Sequence, residues 1–592
     1  MKYDFVTKVD RTNTGSIKWD EYGVTSPEFA PLSVADMEFV TPKEISSALA
    51  KTANEKVLGY TTATDEYRTA VVNWMKRRHD FDVRKDWILM TPGVVPALAI
   101  LIEAVTKPCD GVILLTPVYY PFDMAVIAKT RHVVYSVLKN VDGRYEIDFA
   151  DLEKKAKDPK NTAILFCNPH NPVGRVWTKE ELEKVGKICT DNGVFIIDDE
   201  IHNDLIMPGV KHTVFANISE KVRQNIAVCT APSKTFNLAG LQCSNIIIPN
   251  DEARAKANAI ALVNVVKDLN VFAYPACISA YNECEGWLEE LISVIADNAK
   301  TSEEFFKKNF PSVVVSKLEG TYLQWIDFRA LGLTHVELKK ALIKHKVYFD
   351  YGEMFGDAGR GFERINLACP KDTLLGALER VKSALDEKLS EIKNSKEPRP
   401  MTLRVGDKVN FVYTKADGTT VDLESESKKS TFIAFLRFAE CDVTKTALKG
   451  LKTLNKIAKL CGRDIKAVIQ SDAETVKEVQ KDFAFELIPD VEGKLYDRYN
   501  VFEANSMFSM VAGDKYFEDM IGDDIKKMVS SDMFKSLAKS LIGGENEHPE
   551  RRGGQLLAFF TFSKNGVVKY AHYAKTIGDI PPAKELVGGM LK

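Results

Sequence analysis

The stretch 163–202 decides the fold, and it reads AILFCNPHNPVGRVWTKEELEKVGKICTDNGVFIIDDEIH. It begins with a short apolar, β-prone run (163–166) and closes with a second one (195–197) followed by a polar loop. Between these runs, Thr178 and Glu181 have the spacing of a helix N-cap and its capping-box partner. A strand, a helix and a strand in this order form the repeating unit of a parallel α/β sheet.

The same pattern continues on both sides of this stretch. Runs 112–115 and 226–229 are further strand candidates, and each ends at a loop with polar residues or proline. From about residue 312 a smaller unit begins, with strand candidates at 322–328, 348–350 and 364–367 and a long helix at 371–392. Ligands of parallel α/β sheets bind beyond the carboxyl ends of the strands, so functional residues are expected in the loops there.

Length and composition narrow the class of protein. The 592 residues are enough for several domains, and 80 basic against 83 acidic residues give a formal net charge of −3. That balance argues against nucleic acid or an anionic membrane as a main partner. The first residues lack the apolar core of a signal peptide, and no run approaches the ~20 apolar residues of a membrane span. Ten cysteines without a C-x-x-C pair favour reduced thiols in a cytoplasmic protein over a disulfide framework or a zinc site.

The domain organisation follows from changes in pattern along the chain. We expect a large domain at about 45–290 and a small domain built from 1–44 and 291–392. Segment 393–400 is charged, carries two prolines and has no apolar periodicity, so it is predicted to be a linker. A separate α/β domain at 401–592 follows, with a turn at 415–418, a strand at 432–435 and a helix at 444–460.

Four polar segments follow predicted strands of the large domain, at 116–121, 168–175, 198–202 and 230–240. They bring the amine of Lys234, the carboxylate of Asp199 and the amide of Asn171 to neighbouring strand ends. Pyridoxal phosphate (PLP) needs an amine for its covalent link, a carboxylate facing its ring nitrogen and a donor for its ring hydroxyl. The sequence therefore predicts a PLP enzyme.

These motifs, with Lys18-Trp-Asp, the run 34–39 (VADMEF) and the run 364–370 (RINLACP), resemble a known family. The chain is similar to fold-type I PLP enzymes of the aminotransferase class I/II superfamily, and within them to the carbon–sulfur lyases of the cystathionine β-lyase and cystalysin type. The resemblance covers about two thirds of the chain. It implies an α/β, aspartate aminotransferase-like fold with a large and a small domain, and a homodimer with shared active sites.

The resemblance also implies roles for single residues. Lys234 would hold the cofactor covalently, and Asp199 would pair with the protonated ring nitrogen. Asn171 would bond the ring oxygen, and Tyr119 would stack on the ring. His202 would orient Asp199 or the ring oxygen, or it would only form hydrogen bonds within its own loop.

The phosphate and the substrate would be held by further residues. A turn at Gly93 opens a helix whose first residues, Val94 and Val95, would offer backbone N–H groups to the phosphate. The other predicted phosphate ligands are the hydroxyls of Thr230 and Ser233 and, from the second subunit, Tyr60.

Two further side chains would face the substrate. Arg364 would hold the substrate carboxylate in a two-point fork, and Tyr120 is either a substrate-side donor or a core residue. Gln242 stands where many aminotransferases have a phosphate-binding arginine, and this departure favours the lyases.

The predicted function is thus a PLP-dependent carbon–sulfur β-lyase that cleaves cystathionine, cysteine or related thioethers to pyruvate, ammonia and a thiol. An aminotransferase, or a regulatory binding protein that retains PLP, is the alternative. The sequence does not rank the thioether substrates.

The carboxy-terminal third resembles the thioredoxin-like AhpC/TSA (peroxiredoxin-like) domains in the segments 405–411, 432–444, 489–499 and 556–562. Cys441 would lie between a strand and the first turn of a helix, where a thiolate is favoured. However, Thr444 replaces the second cysteine of a C-x-x-C pair, and Ala434 and Phe438 replace the Pro and Thr of the peroxiredoxin pattern. A monothiol redox role and a degenerate, structural domain are both open.

Overall fold

The computed structural model describes residues 2–20, 22–55, 57–266, 268–394, 401, 403–426, 428–499, 501, 557–574, 581 and 587–589. The chain forms two compact units, Met1–Asn394 and Ser395–Lys592.

The first unit alternates helices and strands. Its helices are α1 (Ile17–Asp20), α2 (Lys43–Glu55), α3 (Asp65–His79), α4 (Val94–Val105), α5 (Pro121–Ala128), α6 (Phe149–Ala156), α7 (Lys179–Asp191), α8 (Glu220–Arg223), α9 (Pro232–Thr235), α10 (Asp251–Val263), α11 (Ala273–Glu283), α12 (Glu285–Asn309), α13 (His335–Lys344) and α14 (Lys371–Asn394). Its strands are β1 (Ile88–Thr91), β2 (Gly111–Thr116), β3 (His132–Val137), β4 (Lys139–Val141), β5 (Arg144–Glu146), β6 (Asn161–Cys167), β7 (Phe195–Asp199), β8 (Ile226–Thr230), β9 (Ser244–Ile247), β10 (Val314–Val315), β11 (Leu323–Asp327), β12 (Asp350–Tyr351) and β13 (Phe362–Asn366).

A seven-stranded sheet forms the centre of this unit, in the order β1-β9-β8-β7-β6-β2-β3. Neighbouring strands are parallel except that β9 runs antiparallel to both β8 and β1. Alternate residues of β6 pack into two separate hydrophobic cores, Ile164 into one and Leu165 into the other. Since both faces are covered, the strands are continuous apolar runs, as parallel sheets require.

The strands predicted at 112–115, 163–166, 195–197 and 226–229 are confirmed as β2, β6, β7 and β8. Helix α7 begins as the sequence predicts. Thr178 accepts from the backbone N–H of Glu181, and the Glu181 side chain accepts from the Thr178 N–H, which completes the capping box. Gly193, just beyond the helix, has a φ of 69°, a conformation that glycine adopts without strain.

The smaller sheet has the order β10-β11-β13-β12, and all its pairs are antiparallel. In the register of β12 and β13, Asp350 lies opposite Arg364. The strand predicted at 348–350 starts only at Asp350, because the residues before it form a loop. The predicted domain boundary near residue 290 falls inside α12, a continuous helix of 25 residues.

The long carboxy-terminal helix of this unit is confirmed, and it extends further than predicted. Helix α14 runs to Asn394, so Lys393 and Asn394 belong to its last turn and the linker prediction is wrong for these two residues. The helix buries one apolar stripe that includes Leu374, Leu378 and Leu385, which accounts for its length. The rest of the predicted linker lies outside the described residues.

The second unit is a smaller α/β structure. Its described elements are β14 (Val412–Thr414), β15 (Thr420–Asp422), α15 (Leu423–Glu426), β16 (Thr431–Leu436), α16 (Asp442–Leu460), β17 (Asp464–Ile469), α17 (Ala473–Gln480), β18 (Glu486–Pro489), α18 (Lys494–Arg498), β19 (Ala558–Phe562) and β20 (Val568–Tyr573). Strands β14 and β15 form a hairpin around the predicted turn.

Five of these strands form one mixed sheet, in the order β18-β17-β16-β19-β20. Strands β16, β17 and β18 are parallel, whereas β19 and β20 each run antiparallel to the preceding neighbour in this order. Alternate residues of β16 enter cores on both faces, for example Ala434 on one face and Phe435 on the other. The strand and helix predicted at 432–435 and 444–460 are confirmed as β16 and α16.

A search for membrane-spanning helices among the described residues found none of sufficient length and apolarity.

Candidate active site

The carboxyl ends of three adjacent parallel strands carry the predicted site residues. Asn171 lies in the loop after β6, Asp199 is the last residue of β7, and Lys234 lies in the short helix α9 directly after β8. Because β6, β7 and β8 are neighbours in the sheet, these side chains come from one edge of it.

The amine of Lys234 lies in a polar but buried setting. Its Nζ donates to the backbone carbonyl of Ala35, at 2.6 Å, in the amino-terminal segment that precedes α2. Burial lowers the pKa of Lys234 to about 8, and the carboxylates of Asp36 and Asp199 oppose this shift. A lysine with such a pKa is neutral to a useful extent near pH 7, as a nucleophile or a base must be.

Asp199 is buried, and its Oδ1 accepts from the backbone N–H of Ile201 at 3.0 Å. Burial raises the pKa of Asp199 to about 7, while this hydrogen bond and the charge of Lys234 lower it. A further positive charge next to this carboxyl group would lower its pKa and favour the ionised form.

Arg364 is buried on β13 and joins the small sheet to the large one. Its Nε and Nη2 donate to Oδ2 of Asp350, at 3.0 and 2.5 Å, and its Nη1 donates to Oδ1 of Asn171 at 2.7 Å. The guanidinium also lies over the ring of Phe355, 4.7 Å from its centroid. Thus Asn171 and Arg364, which are 193 residues apart in the chain, are in direct contact.

Two ring side chains complete the buried part of the site. His202 is buried, and burial lowers its pKa well below the ordinary value, followed by the charges of Lys234 and Arg364. Its Nδ1 has no hydrogen-bond partner within the described part of the chain. Burial raises the pKa of Tyr119, which is also affected by the charges of Arg364 and Asp199. Both residues therefore lie at the same sheet edge as Lys234.

The predicted phosphate ligands differ in how they are placed. Gly93 precedes α4 with a φ of 106°, and as a glycine it has no side chain to cap the N–H groups of Val94 and Val95. Ser233 is half-buried in α9, one residue before Lys234. The hydroxyl of Thr230 donates to the carbonyl of Asn245 on β9 at 3.1 Å, so its predicted phosphate contact requires this bond to break.

Tyr60 and Tyr120 lie at the surface. The Tyr60 side chain is fully exposed in the single chain, in a segment without regular structure after α2. The structure therefore does not bring it to the other site residues of the same chain. Tyr120 is 39% exposed, and its ring lies 5.4 Å from that of Tyr119 and 6.3 Å from that of Phe355.

Sequence reasoning missed three groups that contact the site. Ala35 supplies the carbonyl that accepts from Lys234, the hydroxyl of Tyr322 donates to the same carbonyl at 2.9 Å, and Asp350 holds Arg364. A backbone carbonyl leaves no signal in a residue type. Asp350 does stand at the end of a predicted strand, but only the strand register, which a single sequence does not contain, pairs it with Arg364.

The predicted redox residue lies in the second unit. Cys441 precedes α16 as its N-cap residue, and 1% of its surface is exposed. Its Sγ accepts from Nη1 of Arg437, a buried residue on the preceding loop, at 3.3 Å. The hydrogen bond places a positive charge next to the sulfur.

The chain is similar to known proteins over its first unit. A family model, aminotransferase class I and II, matches residues 27–381. Cystathionine beta-lyase PatB of Bacillus subtilis (strain 168) is 42% identical over 387 residues, 64% of this chain and 100% of PatB. Protein MalY of Escherichia coli (strain K12) is 32% identical over 380 residues, 63% of this chain and 96% of MalY. The crystal structure of cystalysin from Treponema denticola, which contains a pyridoxal 5'-phosphate cofactor, matches with 47% identity and a TM-score of 0.64, over 65% of this chain and 100% of cystalysin.

The chain belongs to the aminotransferase class I and II family, since the family model matches more than half of its residues. The predicted aspartate aminotransferase-like fold of the first unit, with its mixed α/β sheet, is confirmed.

Proposed function

We propose that this chain is a PLP-dependent carbon–sulfur β-lyase that cleaves cystathionine, cysteine or related thioether amino acids. The observation that carries the proposal is that Lys234 and Asp199, at one edge of the central sheet, meet Arg364, which comes from the smaller sheet and bonds Asn171. The enzyme class and the cofactor are those that the sequence predicted. They are also those printed for the relatives, a cystathionine beta-lyase and a cystalysin that contains pyridoxal 5'-phosphate.

The residues present fit PLP. A buried ring nitrogen of His202 lacks a partner within the described residues, and the first turn of α4 has no side-chain cap. Lys234 would hold the cofactor, with Asp199 at its ring nitrogen, Asn171 and His202 at its polar edge and the residues after Gly93 at its phosphate. When bound, PLP supplies an aldehyde that captures the substrate amine and a ring that takes up the electron pair left at Cα.

Lys234 performs two tasks in the proposed reaction. Its amine exchanges places with the amine of the substrate, and it then takes the proton from the substrate Cα. The pKa of about 8, lowered by burial, suits a base that must be neutral when it accepts this proton. The carbonyl of Ala35 accepts from Nζ and so fixes the position of the amine.

Asp199 and Arg364 each pair with a group of opposite charge. The buried carboxylate of Asp199 would keep a proton on the ring nitrogen. Arg364 holds the α-carboxylate of the substrate, and its own orientation is set by Asn171 and Asp350.

The proposed reaction is balanced without an oxidant or reductant. The Cα–H and Cβ–S bonds break, the sulfur leaves as a thiol, and 2-aminoacrylate is released. Water then converts 2-aminoacrylate to pyruvate and ammonia.

The test of this function is a comparison of two assays on the purified protein. With cystathionine alone, a lyase forms pyruvate and a thiol in equal amounts. With an amino acid and a keto acid, an aminotransferase forms the exchanged pair without ammonia. Transamination faster than elimination would replace the proposed function with the aminotransferase alternative, and no PLP bound to Lys234 would reject both.

We propose that the chain acts as a homodimer with shared active sites. Several large apolar side chains of the first unit are exposed in the single chain: Val57, Leu58, Tyr60, Leu262, Val263 and Val265. Two short segments with several exposed large apolar residues each favour a protein partner over solvent. The fully exposed Tyr60 is then free to reach the phosphate of a second copy.

Mixing two inactive variants tests the shared site. A Lys234→Ala subunit keeps Tyr60, and a Tyr60→Ala subunit keeps Lys234, so a mixed dimer contains one complete site. We expect activity to return on mixing under conditions that exchange subunits. Mixtures that stay as inactive as the separate variants, although mixed dimers form, would contradict the shared site.

A second candidate function concerns the carboxy-terminal unit, which we propose to be a thioredoxin-like domain with a thiol redox role. The mixed sheet with α16 and α17 between its parallel strands supports this fold. The contact from Arg437 to Cys441 supports the redox role, because reactive cysteines are found next to positive charges and at helix N-termini.

The predicted cytoplasmic location stays a prediction.

The proposed step for Cys441 is the transfer of one sulfur atom. Cleavage of cystine at its Cβ–S bond leaves a persulfide, R–S–SH. The thiol of Cys441 takes the outer sulfur, so that its own S–S bond forms, the S–S bond of R–S–SH breaks and R–SH leaves. Mass spectrometry of the peptide with Cys441 after turnover of cystine tests this step. An unmodified thiol would leave the domain with a structural role.

A further inference from the structure

Asp350 is a buried carboxylate whose two oxygens bind different segments of the first unit. Its Oδ2 accepts two N–H groups of Arg364, from Nε at 3.0 Å and Nη2 at 2.5 Å. Its Oδ1 accepts from the backbone N–H of Val34 at 3.1 Å. The side chain is 6% exposed, so these bonds are made away from water.

The hydrogen bonds of Arg364 leave two of its N–H groups for a substrate. A guanidinium has five N–H groups, and three of them have acceptors among the described residues: two on Asp350 and one on Asn171. One N–H on each terminal nitrogen is left. A carboxylate that meets the end of the guanidinium would accept one N–H from each terminal nitrogen in a bidentate contact. Asp350 occupies the Nε–Nη2 side of the guanidinium and so leaves this end to the substrate.

The other oxygen of Asp350 fixes the segment beside the Lys234 amine. Val34 has a φ of 52°, a left-handed conformation that is costly for a β-branched residue. Asp350 holds the N–H of Val34, and the side chain of Asn366 donates to the Val34 carbonyl at 2.7 Å. The next residue, Ala35, supplies the carbonyl that accepts from Lys234. One carboxylate thus connects Arg364 with the backbone that positions the lysine.

We propose that Asp350 is a positioning residue for amino-acid recognition. It aims Arg364 at the α-carboxylate of the substrate and holds the Val34–Ala35 turn against Lys234. This inference rests on the proposed function, because it takes Arg364 as the carboxylate-binding residue. Asp350 itself does not touch the substrate.

Asparagine cannot replace Asp350 in this role, although it has the same shape. It has one acceptor oxygen and one NH2 group, so either Arg364 or the Val34 N–H would face a donor in place of an acceptor. The loss of charge-assisted hydrogen bonds to Arg364 would then weaken carboxylate recognition by on the order of tenfold. Recognition of the amino group would change little, because Asn366 still holds the Val34 carbonyl beside Ala35.

The experiment compares two ligands on the PLP-loaded enzyme. L-alanine carries an amine and a carboxylate but no leaving group, and ethylamine carries only the amine. The dissociation constant of each is measured from the change in visible absorption of the bound cofactor. In Asp350→Asn we expect the constant for L-alanine to rise about tenfold and that for ethylamine to stay within about twofold.

Glu363→Gln is the matched control. Glu363 is the neighbour of Arg364 on β13 and is equally buried, and burial raises its pKa well above the ordinary value. Its replacement removes a buried carboxyl group from the same sheet without touching the guanidinium, so both constants should remain those of the wild type. A similar loss of alanine binding in Glu363→Gln would overturn the specific role of Asp350.

A double-variant cycle tests whether Asp350 acts through Arg364. In an Arg364→Gln background, Asp350→Asn should leave the ratio of the alanine and ethylamine constants unchanged. If Asp350→Asn does not fold, Asp350→Glu replaces it, since it keeps the charge but displaces both oxygens by one methylene. An alanine constant within twofold of the wild type in whichever variant folds overturns the proposal.

The result on the wild type separates this inference from the proposed function. If the wild type binds L-alanine no more tightly than ethylamine, Arg364 does not hold a carboxylate, and the proposed substrate contact fails together with this inference. If the wild type distinguishes the two ligands and Asp350→Asn distinguishes them equally well, only the role of Asp350 is refuted.

Discussion

Lys234 and Cys441 occupy similar places in the two units of the molecule. Each follows a strand of a central sheet and lies at the start of a helix, Lys234 after β8 and Cys441 after β16. Their surroundings differ. The amine of Lys234 is influenced by four charged residues from other segments: Asp36, Asp199, Asp350 and Arg364. The hydrogen bond to the sulfur of Cys441 comes from Arg437, which is four residues away on the same loop.

A position after a strand is therefore not sufficient to make a functional site. In the first unit, long-range contacts bring residues from both sheets and from the amino-terminal segment to one amine. Ordering such distant segments around one side chain costs conformational entropy. A buried amine with a shifted pKa that is surrounded by charged side chains is typical of a functional site. We therefore expect substitutions around Lys234 to affect lyase turnover strongly and substitutions at Cys441 to affect it hardly at all.

The largest effect is expected for Lys234→Ala. The variant should lose both the covalent hold on the cofactor and the base at Cα, which lowers turnover by at least about 1,000-fold. Borohydride reduction of the yellow wild-type protein, followed by peptide mapping, should place the cofactor on Lys234. A label on another lysine would show that the site has been misplaced.

The next effect is expected for Asp199→Ala, which should still bind PLP weakly but lose about 100-fold in turnover. Without the buried carboxylate, the ring nitrogen loses the partner that keeps its proton. Asp198→Asn is the control, since Asp198 is the preceding residue of β7, points to the opposite face and has a pKa raised well above the ordinary value by burial. Equal losses in both variants would indicate general damage to β7.

Arg364→Lys should lower kcat/KM about 30-fold for every amino-acid substrate, although it keeps the charge. An ammonium group makes one point contact with a carboxylate. Its three N–H groups also cannot replace the five of a planar guanidinium, which serve Asp350, Asn171 and the substrate together. Steady-state kinetics on two substrates with different side chains test this. A defect confined to one of them would mean that Arg364 binds a side chain.

Much of the first unit could be predicted from sequence because its signals are local. The strands that end at Cys167, Asp199 and Thr230 are continuous apolar runs, and the capping box of α7 is a four-residue pattern. The groups that hold the site in place are not local. The contact of Asp350 with Arg364 depends on the register of two strands, and the contact of Lys234 with Ala35 joins residues 199 positions apart.

A smaller and more specific effect concerns pH. The Lys234 amine reacts with the aldehyde of PLP only when it is neutral, and its pKa is lowered to about 8 by burial. The neutral fraction, and with it the rate at which apo-protein takes up PLP covalently, should rise about fivefold from pH 7 to pH 8 and level off near pH 9. Stopped-flow absorption measures this rate. A rise of about tenfold per pH unit that continues from pH 8 to near pH 10 would mean that Lys234 has the pKa of an exposed lysine.

The smallest effect on turnover is expected for Cys441→Ser. The second unit has its own two cores. Because Cys441 lies in that unit and is not among the residues proposed for the lyase reaction, lyase turnover of cystathionine should stay within about twofold of the wild type. Cystine is the informative second substrate, because its cleavage leaves a persulfide and that of cystathionine does not. If the tethered thiol captures this persulfide, its high effective concentration should delay the appearance of the first equivalent of free persulfide in the wild type relative to Cys441→Ser. The same time course in both proteins would refute the redox role, whereas a loss of cystathionine turnover in Cys441→Ser would show that Cys441 contributes to the lyase reaction.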